Sequence, residues 1–102
     1  MSAAPPSRVY RRDFDMALTR EEFLRLLPVA VGDSAFRVQG GEIDCAGGEP
    51  AWRIRLEPRA GRAFGPVRIP VLAVALVIEG ATQAQATAFV DRFLLGFQRA
   101  GG

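Results

Sequence analysis

The chain has 102 residues, 49% hydrophobic and 24% charged, with 13 basic residues (all Arg) against 11 acidic ones for a net charge of +2. This is one domain of ordinary globular composition, with too little excess charge to imply a polyanionic partner by itself. With no His, no Lys and a single Cys, the chain is denied an imidazole triad, a lysine Schiff base, a P-loop lysine, an internal disulfide and a Cys/His zinc cluster.

Residues 1–8 include Pro5-Pro6 and several small side chains, offer nothing to bury, and read as a disordered tail before a single α+β domain at 9–102. The start has neither the basic nor the apolar region of a signal peptide. The longest apolar run is roughly ten residues, about half a membrane span. A soluble cytoplasmic protein with no membrane partner is the expectation. From Val9 to Leu18 the even positions Tyr10, Phe14, Met16 and Leu18 are apolar, while Arg11, Asp13 and Asp15 alternate with them. That is the pattern of a half-buried edge strand, but Arg12 interrupts it, so a strand and an irregular segment are both open readings.

Thr19 followed by Glu22 forms a capping box, and Leu18 with Phe23 has the spacing of a hydrophobic staple. A helix is expected from 20 to about 27, with a further turn to Val31 and a stop at Gly32. Pro28 would cost it one hydrogen bond and clash with the residue-24 carbonyl. Next, Phe36–Gln39 and Glu42–Cys45 flank Gly40-Gly41, a two-residue hairpin turn; a bulge within one longer strand is the rival reading. The hairpin register sets Val38 against Ile43, Phe36 against Cys45 and Arg37 against Asp44. Across the following loop it sets Ile43 against Ile54, Cys45 against Trp52, Asp44 against Arg53 and Glu42 against Arg55. One face is then wholly apolar, and the other carries opposite charges in register.

Pro58–Pro66, with Gly61 and Gly65, reads as a loop; it is glycine-rich, but a strand follows it where a phosphate-cradling loop needs a helix. Val71–Ile78 is a strand with large aliphatics at Leu72, Val74, Leu76 and Ile78 and smaller ones at Val71, Ala73, Ala75 and Val77. Thr82 with Gln85 is a second capping box. Ala86, Phe89, Val90, Phe93, Leu94 and Phe97 line one stripe of a helix running to about Arg99, with Gly101 where a C-cap belongs. The expected fold is α+β: a three- or four-stranded antiparallel meander with two helices packed on one face, in the order (β)-α-β-β-β-α.

Cys45 and Trp52 are expected in the core, the thiol as a small hydrophobe. Asp13 and Asp15 could share a face, but nothing converges on them. No catalytic residue, metal site or cofactor is assigned, and the protein is expected not to be an enzyme. Arg53, Arg55, Arg59 and Arg62 form a candidate anion-binding set on an α-β-β-β-α chain. That order resembles the double-stranded RNA-binding domain, in which a basic cluster opens the last helix. Ala81–Ala86 carries no positive charge here, so nucleic acid is a disfavoured partner. The terminal Gly101-Gly102 resembles the tail of ubiquitin-like and sulfur-carrier proteins, over those two residues alone.

The slim face of the long strand carries the main functional expectation. A sheet with one solvated face normally alternates apolar and polar residues, yet Val71, Ala73, Ala75 and Val77 are all apolar. They must be covered by a second copy, by a different protein, by the N-terminal segment folded back with Tyr10 and Phe14, or by a ligand. Self-association or docking on another protein, as a non-enzymatic accessory domain, is the leading reading.

Overall fold

The structure is a computed structural model that describes residues 8–32 and 35–100. Of the tail expected at 1–8, residues 1–7 lie outside the described residues, as does the Gly101-Gly102 terminus. The elements are β1 (Val9–Met16), α1 (Arg20–Val31), β2 (Arg37–Gln39), β3 (Glu42–Cys45), β4 (Ala51–Phe64), β5 (Val67–Glu79) and α2 (Gln83–Ala100). The strands make one antiparallel sheet in the order β1-β5-β4-β3-β2.

The sheet therefore has five strands, not three or four, and the order is β-α-β-β-β-β-α. Residues 9–16 are a strand. Every residue from Val9 to Met16 pairs with β5, and Arg12 does not prevent it because an edge position leaves its side chain exposed. The Gly80 amide also donates to the Arg8 carbonyl at 3.0 Å, which ties the end of β5 to the start of β1. The N-terminal segment thus lies beside β5 and not over its slim face. Tyr10 and Phe14 turn toward the helices, and the Phe14 ring lies 6.0 Å from that of Phe93.

β1 and β2 occupy opposite edges of the sheet, so α1 must cross the whole of it. Four strand spacings amount to about 19 Å, and the 12 residues of α1 rise about 18 Å. Its start is held by the expected box: the Thr19 amide donates to Glu22 Oε1 at 2.9 Å, and the Glu22 amide donates to Thr19 Oγ1 at 3.1 Å. The backbone and then the side-chain hydrogen bond to Thr19 hold the Glu22 carboxyl below its ordinary range. Pro28 stays inside the helix, which ends at Gly32 in the left-handed conformation with φ of 67°. The lost hydrogen bond is tolerated because Leu27, Ala30 and Val31 on either side are all buried. The Arg20 guanidinium donates to the Gly40 carbonyl and fastens α1 to the β2–β3 turn.

The inward face follows the alternation read from the sequence, except that Val38 on the edge strand β2 and Leu94 of the expected α2 stripe are exposed. Ile43, Cys45, Trp52, Ile54, Leu56, Leu72, Val74, Leu76 and Ile78 are buried, together with Phe23 and Leu27 of α1 and Phe89, Phe93 and Phe97 of α2. The β3–β4 pairs are those expected, and so are Arg37–Asp44 and Val38–Ile43 on the other side of Gly40-Gly41. Phe36 falls just outside the ladder and packs its ring 5.8 Å from Trp52. α2 begins on its own box, with Thr82 and Gln85 exchanging bonds of 2.9 and 3.1 Å. The helices touch where a Cβ added at Gly96 would lie 2.4 Å from the Ala30 Cα.

Pro58–Pro66 is not a loop. β4 continues to Phe64, β5 starts at Val67, and only Gly65-Pro66 turns between them, with Gly65 at φ 59°. Two features let this segment stay a strand. The Leu56 amide points to the β3 side, donating to the Gly41 carbonyl at 2.8 Å, and Pro58 sits two residues on, so its missing donor faces a side β3 no longer occupies. Pro70 lies at a β-bulge, where Arg59 pairs with Val71 and Arg62 with Ile69, leaving Ala60 and Gly61 opposite it. A Cβ at Gly61 would meet the Ile69 carbonyl oxygen at 2.8 Å, so the bulge requires glycine.

Three outcomes are expected. Gly96→Ala, which drives a methyl into the Ala30 backbone, lowers stability by about 1–3 kcal/mol in urea unfolding followed by Trp52 fluorescence. Gly47→Ala, with nothing within 4 Å of the added carbon, leaves the midpoint almost unchanged. Because the Glu22 carboxyl titrates lower when folded, its contribution is present above the ordinary carboxylate range and fades as pH falls through the folded value. In Glu22→Gln that part of the acid-side loss disappears.

Candidate functional site

The face of the sheet away from the helices is built by the odd positions of its three longest strands. Along β5 run Val71, Ala73, Ala75 and Val77, each half-buried. On one side β1 sets Arg11 beside Val77, Asp13 beside Ala75 and Asp15 beside Ala73. On the other, β4 sets Arg53 beside Val77, Arg55 beside Ala75, Glu57 beside Ala73 and Arg59 beside Val71. Methyl groups on the centre line between long charged chains make a trough. A hollow of about 400 Å³ lies over Ala73 and Ala75, walled by Arg11, Asp13 and Asp15 on one side and Arg55, Glu57 and Arg59 on the other. A second, of about 180 Å³, continues it over Val77 toward Glu42 and Arg53.

The four slim-face residues are thus brought into one strip, with the expected charges along its rims. The pairing of those charges differs from the cross-strand expectation. Asp44 lies directly opposite Arg53 in the ladder, but Arg53 Nε contacts Glu79 Oε1 at 3.0 Å, along the strand direction on β5. Arg59 pairs with Glu57 at 3.3 Å and Arg11 with Asp13 at 3.4 Å, all four side chains more than half exposed. Arg55 stands opposite Glu42 and makes no ion pair among the described residues. Asp13 and Asp15 do share a face, as part of the trough wall.

Of the anion-binding set, Arg53, Arg55 and Arg59 form one row, and Arg62 lies past the bulge. There it borders an apolar cleft of about 290 Å³ with Met16, Phe64, Ile69, Pro70 and Val71, and with Asp15 at its rim. Cys45 and Trp52 are in the core at 4% and 3% exposure, and the Cys45 thiol donates to the Ala35 carbonyl at 3.7 Å. No group of three or more His, Cys, Asp or Glu suited to a metal ion occurs among the described residues. No helix among them is long and apolar enough to cross a membrane.

Sequence reasoning missed the ribbon formed by the far ends of β4 and β5. Its tip exposes Phe64 and Val67 at 60% and 55%. The signal was present as Arg62-Ala63-Phe64 and Val67-Arg68-Ile69, two short alternating runs on either side of Gly-Pro, a turn dipeptide.

Set against protein-family models, curated proteins and solved structures, the chain matches none of them. The function must therefore be argued from these surfaces.

The rim ion pairs are exposed, and exposed pairs contribute at most about 1 kcal/mol each. Glu79→Gln, which removes the negative charge facing Arg53 but keeps an acceptor oxygen, is therefore expected to shift unfolding stability by less than about 1 kcal/mol, measured in urea. A larger loss would mean that the rim charges are structural.

Proposed function

We propose that this protein is a non-enzymatic interaction domain that works as a homodimer, two copies meeting across the solvent face of the sheet. The observation that carries the reading is that β5 is apolar on both faces from Ile69 to Ile78. Its slim side, Val71, Ala73, Ala75 and Val77, is the floor of an open trough. Side chains this small allow the close approach of a second sheet, and the burial of apolar area drives it.

The charge pattern favours a second copy over an unrelated protein. A two-fold axis crossing β5 at Ala75, at right angles to the strand, sets Ala75 against Ala75 and Ala73 against Val77 of the second copy. The same operation sets Arg11 against Asp15 and Arg53 against Glu57 of the second copy, and symmetry repeats each contact. Only Asp13 and Arg55, level with the axis, meet their own kind. Four opposite-sign contacts thus stand against two of like sign. A parallel arrangement about an axis along β5 reverses the balance, setting Arg11 against Arg53 and Asp15 against Glu57.

Binding of a polyanion at this face is less well supported. Glu79 holds Arg53, Glu57 holds Arg59, and Asp13 and Asp15 form the opposite wall.

Light scattering is expected to give about twice the 11.0 kDa chain mass. Ala75→Arg gives a monomer with an unchanged far-ultraviolet circular dichroism spectrum. Arg11→Asp weakens the dimer, and adding Asp15→Arg restores it, because the swap rebuilds the same pairs with reversed sign. A wild-type chain that stays monomeric at all concentrations overturns the proposal. A dimer indifferent to Ala75→Arg moves the interface elsewhere.

A further inference from the structure

β4 and β5 outrun both of their neighbours. β3 pairs with β4 only as far as Arg55, and β1 pairs with β5 only from Leu72 on. From Arg59 to Val71 the two strands continue alone as a ribbon about 20 Å long, at roughly 3.3 Å per residue. A lone two-stranded hairpin is marginal in water, and this one has no helix beneath it, since its residues from 59 to 68 are all exposed.

Its composition is one-sided. From Pro58 to Ile78 the chain contains Arg59, Arg62 and Arg68 and no acidic residue. Cross-strand partners share a face, so the pairs Arg59–Val71 and Arg62–Ile69 put two arginines on one side of the ribbon, and Ala63–Arg68 puts the third on the other. At the tip, Phe64 and Val67 pair with each other while more than half exposed. Arg59 is already bonded to Glu57, but both side chains are more than half exposed, and such a pair exchanges readily for another anion.

We propose that this ribbon binds double-stranded DNA by entering a groove tip first. A ribbon in that pose presents its two faces to the two phosphate walls, and arginines stand on both. Two strands fit the major groove, which is about 12 Å wide. Phe64 and Val67 then leave water against base edges on the groove floor, where apolar side chains contact the thymine methyl group. Pairing of ribbon with ribbon in a second copy is disfavoured, because it brings Arg62 and Arg68 of both copies together and the ribbon itself, from Arg59 to Val71, contributes no carboxylate. The site is separate from the sheet face proposed above, and its test does not depend on dimerisation.

The experiment is fluorescence anisotropy of a labelled 20-base-pair duplex titrated with the full chain between about 50 and 200 mM NaCl. Counterion release at two to three phosphates per ribbon gives a slope of log K on log salt of about −2 to −3. The double variant Arg62→Ala, Arg68→Ala is expected to cut that slope to a third or less. Phe64→Ala weakens binding but leaves the slope alone, since it touches no phosphate. Far-ultraviolet circular dichroism and Trp52 fluorescence are expected to be unchanged in both variants, because these side chains lie outside the core. Absence of binding at about 50 mM salt overturns the proposal. So does binding indifferent to the arginine substitutions, or stronger binding to phosphatidylglycerol vesicles than to the duplex. Ala75→Arg keeps the ribbon intact, so its retention of DNA binding, whatever its oligomeric state, separates this result from that of the dimer.

Discussion

The pairing of β5 along both of its edges is the constraint on which the rest of the molecule depends. β1 holds it from Leu72 to Glu79, and β4 holds it from Val67 to Glu79. Because side chains alternate, that double pairing decides at once which residues enter the core and which face water. Leu72, Val74, Leu76 and Ile78 go inward to almost complete burial, each worth about 1.5–3 kcal/mol relative to exposure. A slip of one residue would replace them with Val71, Ala73, Ala75 and Val77, too small to fill the space under the phenylalanines of α1 and α2. The register is therefore strongly determined, and the slim face is left outward.

That outcome separates two surfaces of different chemistry. The sheet face has an apolar floor and rims of both signs, a combination suited to a partner that is itself flat and mixed in charge. The ribbon has one sign of charge and an apolar tip, with no strand paired along either outer edge. Between them, the outer edge of β1 is guarded. Arg12 sits at an even position on the helix-facing side, yet it remains exposed and donates to the Arg11 carbonyl. An inward-pointing charge on an edge strand hinders edge-to-edge pairing. The residue that interrupts the hydrophobic pattern of β1 thus guards that edge against the addition of a further strand.

The two turns around β3 show how far local chemistry reaches. Gly40-Gly41 and the following loop connect strands whose charges and apolar residues match in only one register, and that register is the one observed. Both helix starts are likewise written in four-residue boxes whose hydrogen bonds are all made. The ribbon was hidden because Pro58, Gly61, Gly65, Pro66 and Pro70 are strand breakers in isolation. In the fold each has a place: Pro58 faces a vacated edge, Gly61 and Pro70 form a bulge, and Gly65-Pro66 make the turn. Arg53 is a similar case, since its ladder partner Asp44 loses to Glu79, whose position depends on how β5 lies against β4.

By itself, the sequence determined the parity of β3, of β4 up to Arg55 and of β5 from Val71, the N-terminal boxes of both helices, most of the core and the apolar character of the slim face. These depend on alternation, helical spacing and side-chain size, which are properties of neighbouring residues. Tertiary structure alone decided that β1 joins β5 as a fifth strand instead of covering its face, that β4 and β5 run on together past their neighbours, and which carboxylate each rim arginine reaches. Those choices follow from where strands distant in the chain end relative to one another, and no short window of residues contains that information.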